Sequence, residues 1–149
     1  MKQKTIVKIL LLTILALTLL IVGCSKNKVT AAAISDDSIK IPTNTITDEM
    51  QKFVYDANGV QVTYFVVRGT DGTIRTAFDA CDVCGGYKGY TQMGTDVKCN
   101  NCGRVFKIDD LGTKNVGGGC WPSFLEYEEI GDSIYIKTND LEKGKHRFA

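Results

Sequence analysis

Val60-Gln61-Val62-Thr63-Tyr64-Phe65-Val66-Val67-Arg68 lies between two turn sequences, Asp56-Ala57-Asn58-Gly59 and Gly69-Thr70-Asp71-Gly72. Most of these residues are β-branched or aromatic, and Val60, Val62, Tyr64 and Val66 fall on one face of an extended chain. Asn-Gly is the dipeptide that best closes a two-residue hairpin, because both positions tolerate positive φ. Gln51–Tyr55 is therefore expected to pair with this strand on one side, and Thr73–Phe78 on the other. Further out, Val97-Lys98 and Arg104–Ile108 read as short strands, with Asp109-Asp110-Leu111-Gly112 as a turn. Phe124–Ile130 and Ser133–Lys137 read as a last hairpin around Gly131-Asp132. No amphipathic helical run of useful length appears, although one helical turn could begin at Thr47. The pattern predicts an all-β fold, a small sandwich or barrel.

Between these strands lie Cys81-Asp82-Val83-Cys84-Gly85 and Cys99-Asn100-Asn101-Cys102-Gly103, with fourteen residues between Cys84 and Cys99. Two cysteines separated by two residues can point both sulfurs at one ion from a tight turn. The glycine that follows permits the positive φ that brings backbone N–H groups to the sulfurs. Two such turns supply four thiolates in a tetrahedral array, so Cys81, Cys84, Cys99 and Cys102 are the expected metal ligands. A pair of disulfides and a thioredoxin-like dithiol compete with this reading. Disulfides inside Cys-x-x-Cys are usually redox-active, and neither pair here opens a helix as a thioredoxin motif would. A structural zinc ribbon shares the same four ligands, and spacing does not separate it from an iron site. Cys120, after Gly117-Gly118-Gly119, is a further candidate metal or redox thiol.

The chain has 149 residues and a formal charge of +1. Lys2, Lys4 and Lys8 lie in the first 23 residues without any acid, which leaves 15 basic and 17 acidic side chains in the rest. A mildly acidic body argues against a phosphate-backbone partner, so nucleic acid is not expected. The three lysines precede Ile9–Val22, apolar apart from Thr13 and Thr18 and short for a membrane span. Ile21-Val22-Gly23-Cys24 resembles the lipobox of bacterial lipoproteins, in which the cysteine is acylated after cleavage. Ile21 and Val22 depart from its usual leucine and small residue. The expectation is a signal or anchor helix over residues 1–23, lipidation at Cys24, and a tether over 24–46. A metal-binding β domain over 47–140 and a charged tail over 141–149, with His146 solvated, complete it. The lysines bias the body to the outer face of a cell membrane.

The order of parts from Val60 onward resembles a Rieske-type domain: a strand pair, a first ligand loop, a second, then a glycine- and proline-bearing loop. In that comparison cysteines stand where the family has histidines, most naturally Cys84 and Cys102. A closer resemblance is to the FtrD-like membrane iron–sulfur proteins. It is carried by Thr76-Ala77-Phe78-Asp79-Ala80-Cys81 through Tyr90, by Cys99-Asn100-Asn101-Cys102-Gly103-Arg104, and by Gly112-Thr113-Lys114-Asn115 through Cys120. This resemblance implies an iron–sulfur or related centre on the outer face of a membrane, linked to iron uptake. Four thiolates fit one iron or a [2Fe–2S] cluster, with zinc as the alternative cofactor. The expected function is one-electron transfer to a redox partner or permease at the membrane. The alternatives are a non-redox zinc module and a thiol-based metal carrier. No hydrolytic or transferase constellation is present in the sequence.

Overall fold

The computed structural model of the chain describes residues 33–35, 37–84, 88–114 and 119–149. The expected signal segment and Cys24 lie outside them. The described residues form β1 (Ala33–Ser35), β2 (Ser38–Pro42), β3 (Gln51–Ala57), β4 (Val60–Arg68), β5 (Ile74–Cys81), β6 (Tyr90–Met93), β7 (Asp96–Cys99), β8 (Val105–Lys107), β9 (Pro122–Phe124), β10 (Glu128–Ile130), β11 (Ser133–Lys137) and one short helix, α1 (Thr138–Gly144). They make three sheets, ordered β1-β2-β11-β10, β3-β4-β5-β9 and β6-β7-β8. The expected all-β architecture is present.

The β3–β4 hairpin closes as its sequence requires. Asn58 has φ 58° and Gly59 φ 89°, the left-handed pair of a tight hairpin turn. The Gly59 N–H donates to Asp56 Oδ1 at 2.6 Å and locks it. Pairing runs from Gln51 opposite Val66 to Ala57 opposite Val60. Alternate residues of β4 then face opposite ways. Val62, Tyr64 and Val66 enter one core with Phe53, Phe78, Ile39, Ile41, Ile134 and Ile136. Phe65 and Val67 enter a second core with Ala77, Tyr90, Val97 and Cys99. The β3-β4-β5-β9 sheet is thus the middle layer. That double burial is why β4 reads as a nearly continuous apolar run instead of a clean alternation.

Several boundaries differ from expectation. Residues 38–42, read as tether, are a strand: in Ser38-Ile39-Lys40-Ile41-Pro42 the isoleucines are 2 % and 3 % exposed and β2 pairs with β11. The alternation was there, but Pro42 and the polar flanks hid it. Phe124–Ile130 is two strands in different sheets, because Leu125 between them is fully buried. Strand β6 carries one buried side chain, Tyr90, and so gave little periodic signal. A 3-10 turn occupies Thr43–Thr45, ahead of the helical turn expected from Thr47.

Residues 141–149, expected as a charged tail, belong to the folded body. Leu141 is fully buried in α1, and Phe148 packs against the first core. Gly144 lies so close to Phe78 that a Cβ there would meet the ring at 2.2 Å. The Arg147 guanidinium sits over the same ring, 5.0 Å from its centroid. A few apolar residues in a basic segment sufficed to dock it. His146 is exposed, as expected, with Nδ1 2.8 Å from the Lys143 carbonyl oxygen.

If β2 belongs to the core, Ile41→Ala should lower stability by about 2–5 kcal/mol. Urea unfolding followed by tyrosine fluorescence measures this. A change near zero would return residues 38–42 to the tether.

Candidate metal centre

The three cysteine-bearing loops converge because of strand pairing. Cys81 ends β5, Cys84 follows in the β5–β6 loop, and Cys99 ends β7. Cys102 lies in the turn to β8. Cys120 stands just before β9, and β9 pairs with β5 so that Pro122 lies opposite Cys81. A residue remote in sequence from the first pair is thereby set beside it.

The second knuckle is a closed turn. The Gly103 N–H donates to the Cys99 carbonyl at 2.8 Å, and the Cys99 N–H to the Arg104 carbonyl at 2.9 Å. Gly103 has φ 77°, which its lack of Cβ permits. Asn100 ties this turn to the end of the first loop. Its N–H donates to the Gly89 carbonyl at 3.0 Å, its Nδ2 donates to the Lys88 carbonyl at 3.0 Å, and its Oδ1 accepts from Thr91 Oγ1 at 2.9 Å. In the first knuckle Cys81 Sγ accepts the N–H groups of Val83 and Cys84, both at 3.4 Å.

Cys84, Cys99, Cys102 and Cys120 have sulfurs that all lie within 4.8 Å of one another. Cys120 Sγ is 3.2 Å from Cys102 Sγ and 3.6 Å from Cys84 Sγ. Three of the four ligands expected from the knuckles are in this set. The fourth member is Cys120, while Cys81 adjoins it through Cys84 and Cys120. No disulfide joins these five cysteines. Cys99 and Cys120 are buried in the second core, Cys81 and Cys84 are partly buried, and Cys102 is exposed. The cluster sits at the rim of that core, with Cys102 its exposed member.

The thiols do not ionise alike. Burial raises the Cys81 pKa, but the N–H groups of Val83 and Cys84 and the sulfurs of Cys120 and Cys84 outweigh it and bring it down to about 7. Cys102 is lowered, chiefly by the Arg104 N–H. Cys84 is pushed up to about 12 by its hydrogen bond with Cys81, then by burial. Cys120 is raised further, by burial first and by the surrounding sulfurs second. Two thiols therefore release protons readily and two resist. A bound cation is what would ionise the whole set, since metal binding displaces thiol protons.

A second group of residues holds these loops. Asp79, 1 % exposed in β5, accepts from Lys52 Nζ at 2.6 Å and from the Tyr90 N–H at 2.6 Å. Lys52 Nζ also donates to the Tyr90 carbonyl at 2.7 Å, so both backbone groups of Tyr90 are fixed by one ion pair. Gly89 is required beside it, for a Cβ there would lie 2.6 Å from the Asp79 carboxylate. Tyr90 in turn brings its hydroxyl within 4.0 Å of Cys120 Sγ. Asp82, inside the first knuckle, accepts from Arg147 Nη2 at 2.8 Å and from Ser123 Oγ. Phe106 packs edge-on against Tyr90 and Trp121, at 6.4 and 5.2 Å between centroids. The aromatic residues thus pack around the ligand loops. Met50 packs against the second core and Met93 is exposed.

Lys52, Asp79, Asp82 and Arg147 were not singled out from the sequence. Asp79 alone carried a readable signal, an acid between Phe78 and Ala80 in a strand buried almost throughout. Its cationic partner lies 27 positions away and becomes visible only when β3, β4 and β5 are aligned.

Sulfur-only donors suit a soft or thiophilic metal. A tetrahedral ion with metal–sulfur bonds of about 2.3 Å separates its sulfurs by roughly 3.8 Å. The observed spacings of 3.2 and 3.6 Å, within a set spanning at most 4.8 Å, fit that donor geometry. A β domain with its thiols gathered in one place defines the class, a candidate cysteine-ligated metal protein. The family model for membrane iron–sulfur containing proteins, FtrD-like, matches residues 46–148, and the chain belongs to that family. Comparisons with curated proteins and with solved structures gave no match.

Two outcomes test the geometry. In metal-free protein, Cys81 alkylation by iodoacetamide should rise through a midpoint near pH 7, with Cys84 unreactive until about pH 12. Peptide mapping after timed alkylation reads both, and equal reactivity of the two would contradict the arrangement. Asp79→Ala should cost on the order of 3 kcal/mol, as removal of one partner leaves Lys52 partly buried and unpaired. Calorimetry checks this, with Lys52→Met in the same background recovering part of the loss.

Proposed function

We propose that this chain is a membrane-tethered, extracytoplasmic iron–sulfur or iron protein that carries single electrons for iron uptake or another redox system. The observation that carries this reading is the gathering of cysteine sulfurs from three loops in a chain of the FtrD-like family. When bound, iron in thiolate ligation supplies a one-electron couple. Cys84, Cys99, Cys102 and Cys120 would hold a single iron, and Cys81 widens the set on one side toward the span of a [2Fe–2S] cluster.

The chain's own residues set the conditions at that centre. N–H groups of Val83, Cys84 and Arg104 directed at Cys81 and Cys102 stabilise negative charge on sulfur. The second core keeps water from Cys99 and Cys120, while exposed Cys102 gives the shortest route for an electron to leave. In this reading the cysteine loops follow the Rieske order, with Cys84 and Cys102 in the histidine positions; what supports it is Cys120 Sγ, 3.6 Å from Cys84 Sγ and 3.2 Å from Cys102 Sγ. With no imidazole ligand, the potential is expected below that of a Rieske centre.

The tether rests on Lys2, Lys4, Lys8, the apolar run Ile9–Val22 and Gly23-Cys24. No helix among the described residues is long and apolar enough to cross a membrane. An acylated Cys24 would hold the domain near a redox partner or permease and raise their effective concentration. Structural zinc is the second reading, supported by four sulfurs that all lie within 4.8 Å of one another.

Protein purified without oxygen should be coloured and contain iron in fixed ratio to protein. Its EPR spectrum, with acid-labile sulfide analysis, separates a mononuclear site from a cluster. Stoichiometric zinc without iron would overturn the reading.

A further inference from the structure

The sulfur cluster has five members, and one tetrahedral ion needs four. Cys84, Cys99, Cys102 and Cys120 make the complete set. Cys81 does not join it, yet it interacts with Cys84 and Cys120, the two members on its own side. Cys81, Cys84 and Cys120 therefore form a second triangle that shares one edge with the first set. The shared edge, Cys84 Sγ to Cys120 Sγ, measures 3.6 Å. That is close to the roughly 3.8 Å between two sulfurs on one tetrahedral ion, so the same two thiolates can bridge a pair of ions.

Charge points the same way. One divalent cation leaves a net charge of minus two with Cys81 as a thiol, or minus three with Cys81 ionised, at a site partly sunk in an apolar core, which is costly to desolvate. Two divalent cations leave minus one. The nearby backbone N–H donors and Arg104, whose Nη1 would lie 3.2 Å from a Cβ on Gly119, can offset that remainder.

We propose that the five cysteines hold two thiophilic divalent cations of the zinc class, bridged by Cys84 and Cys120. The first ion is closed by Cys99 and Cys102. The second is held by Cys81 and the two bridges, with its fourth position open to water or to a ligand from a partner. Closed thiolate sites are structural, whereas a site with three protein ligands keeps an exchangeable position. The second ion is thus the one that can be passed on. This inference rests on the reading of these thiols as metal ligands, and it does not require that the metal be iron.

The test is an anaerobic titration of the metal-free full chain with ¹¹³Cd²⁺, followed by sulfur-to-metal absorption and cadmium NMR. The expected end point is two ions per chain, with one resonance in the four-sulfur range, one in the range of mixed sulfur–oxygen ligation, and scalar coupling between them. In Cys81→Ala the end point should fall from two to one and the four-sulfur resonance should remain. A wild-type end point of one, two uncoupled resonances, or loss of the four-sulfur resonance in Cys81→Ala would each overturn the proposal. The wild-type measurement stands even if the variant does not fold. Iron content and EPR of the isolated protein decide the electron-transfer reading separately. Two bound cadmium ions in a chain that never carries iron would uphold this inference while removing that one.

Discussion

Strands β4 and β5 are buried on both faces, and the rest of the domain is arranged to keep them so. A sheet with apolar side chains on each face must be covered twice, and here the two covers differ in kind. The β1-β2-β11-β10 sheet and helix α1 cover one face with Ile39, Ile41, Ile134, Ile136 and Leu141. The smaller β6-β7-β8 sheet covers the other, and its core includes Cys99 and Cys120. The cysteine cluster is therefore part of the packing of the middle sheet. Loss of order there would expose Phe65, Val67 and Tyr90 together with the sulfurs.

This coupling explains why charged residues were placed at some cost inside the structure. Asp79 sits in a strand that is otherwise apolar, and its carboxylate is satisfied by Lys52 and by the Tyr90 N–H. The pair holds both backbone groups of Tyr90, the first residue of β6, and so fixes where that strand begins. The Asp82–Arg147–Ser123 group acts on the first knuckle, joining it to the C-terminal segment and to β9. These contacts position the described residues flanking Cys81 and Cys84, and such pre-positioning lowers the ordering cost of binding an ion.

Much of the architecture was legible in the sequence. The turn at Asn58-Gly59, the strand Val60–Arg68 and the hairpin around Gly131-Asp132 depend on local conformational preference, and each stands where local chemistry put it. The elements misread were those whose identity depends on what covers them. Ile39 and Ile41 make a strand because β11 offers an edge, and Phe124–Ile130 splits because two sheets claim its two ends.

The sequence by itself determined that the Cys99–Gly103 knuckle would form, since four residues and the positive φ of Gly103 suffice for it. It also determined the β character of the chain around it, through side chains that pack well on a pleated surface. Only the tertiary structure decided which sulfurs meet. Cys120 gained its place beside Cys84 and Cys102 from the pairing of β9 with β5, and Cys81 was set to one side by the same pairing. Spacing along a chain fixes distances within a turn. Distances between turns are fixed by sheet register and by the cores that hold the sheets together.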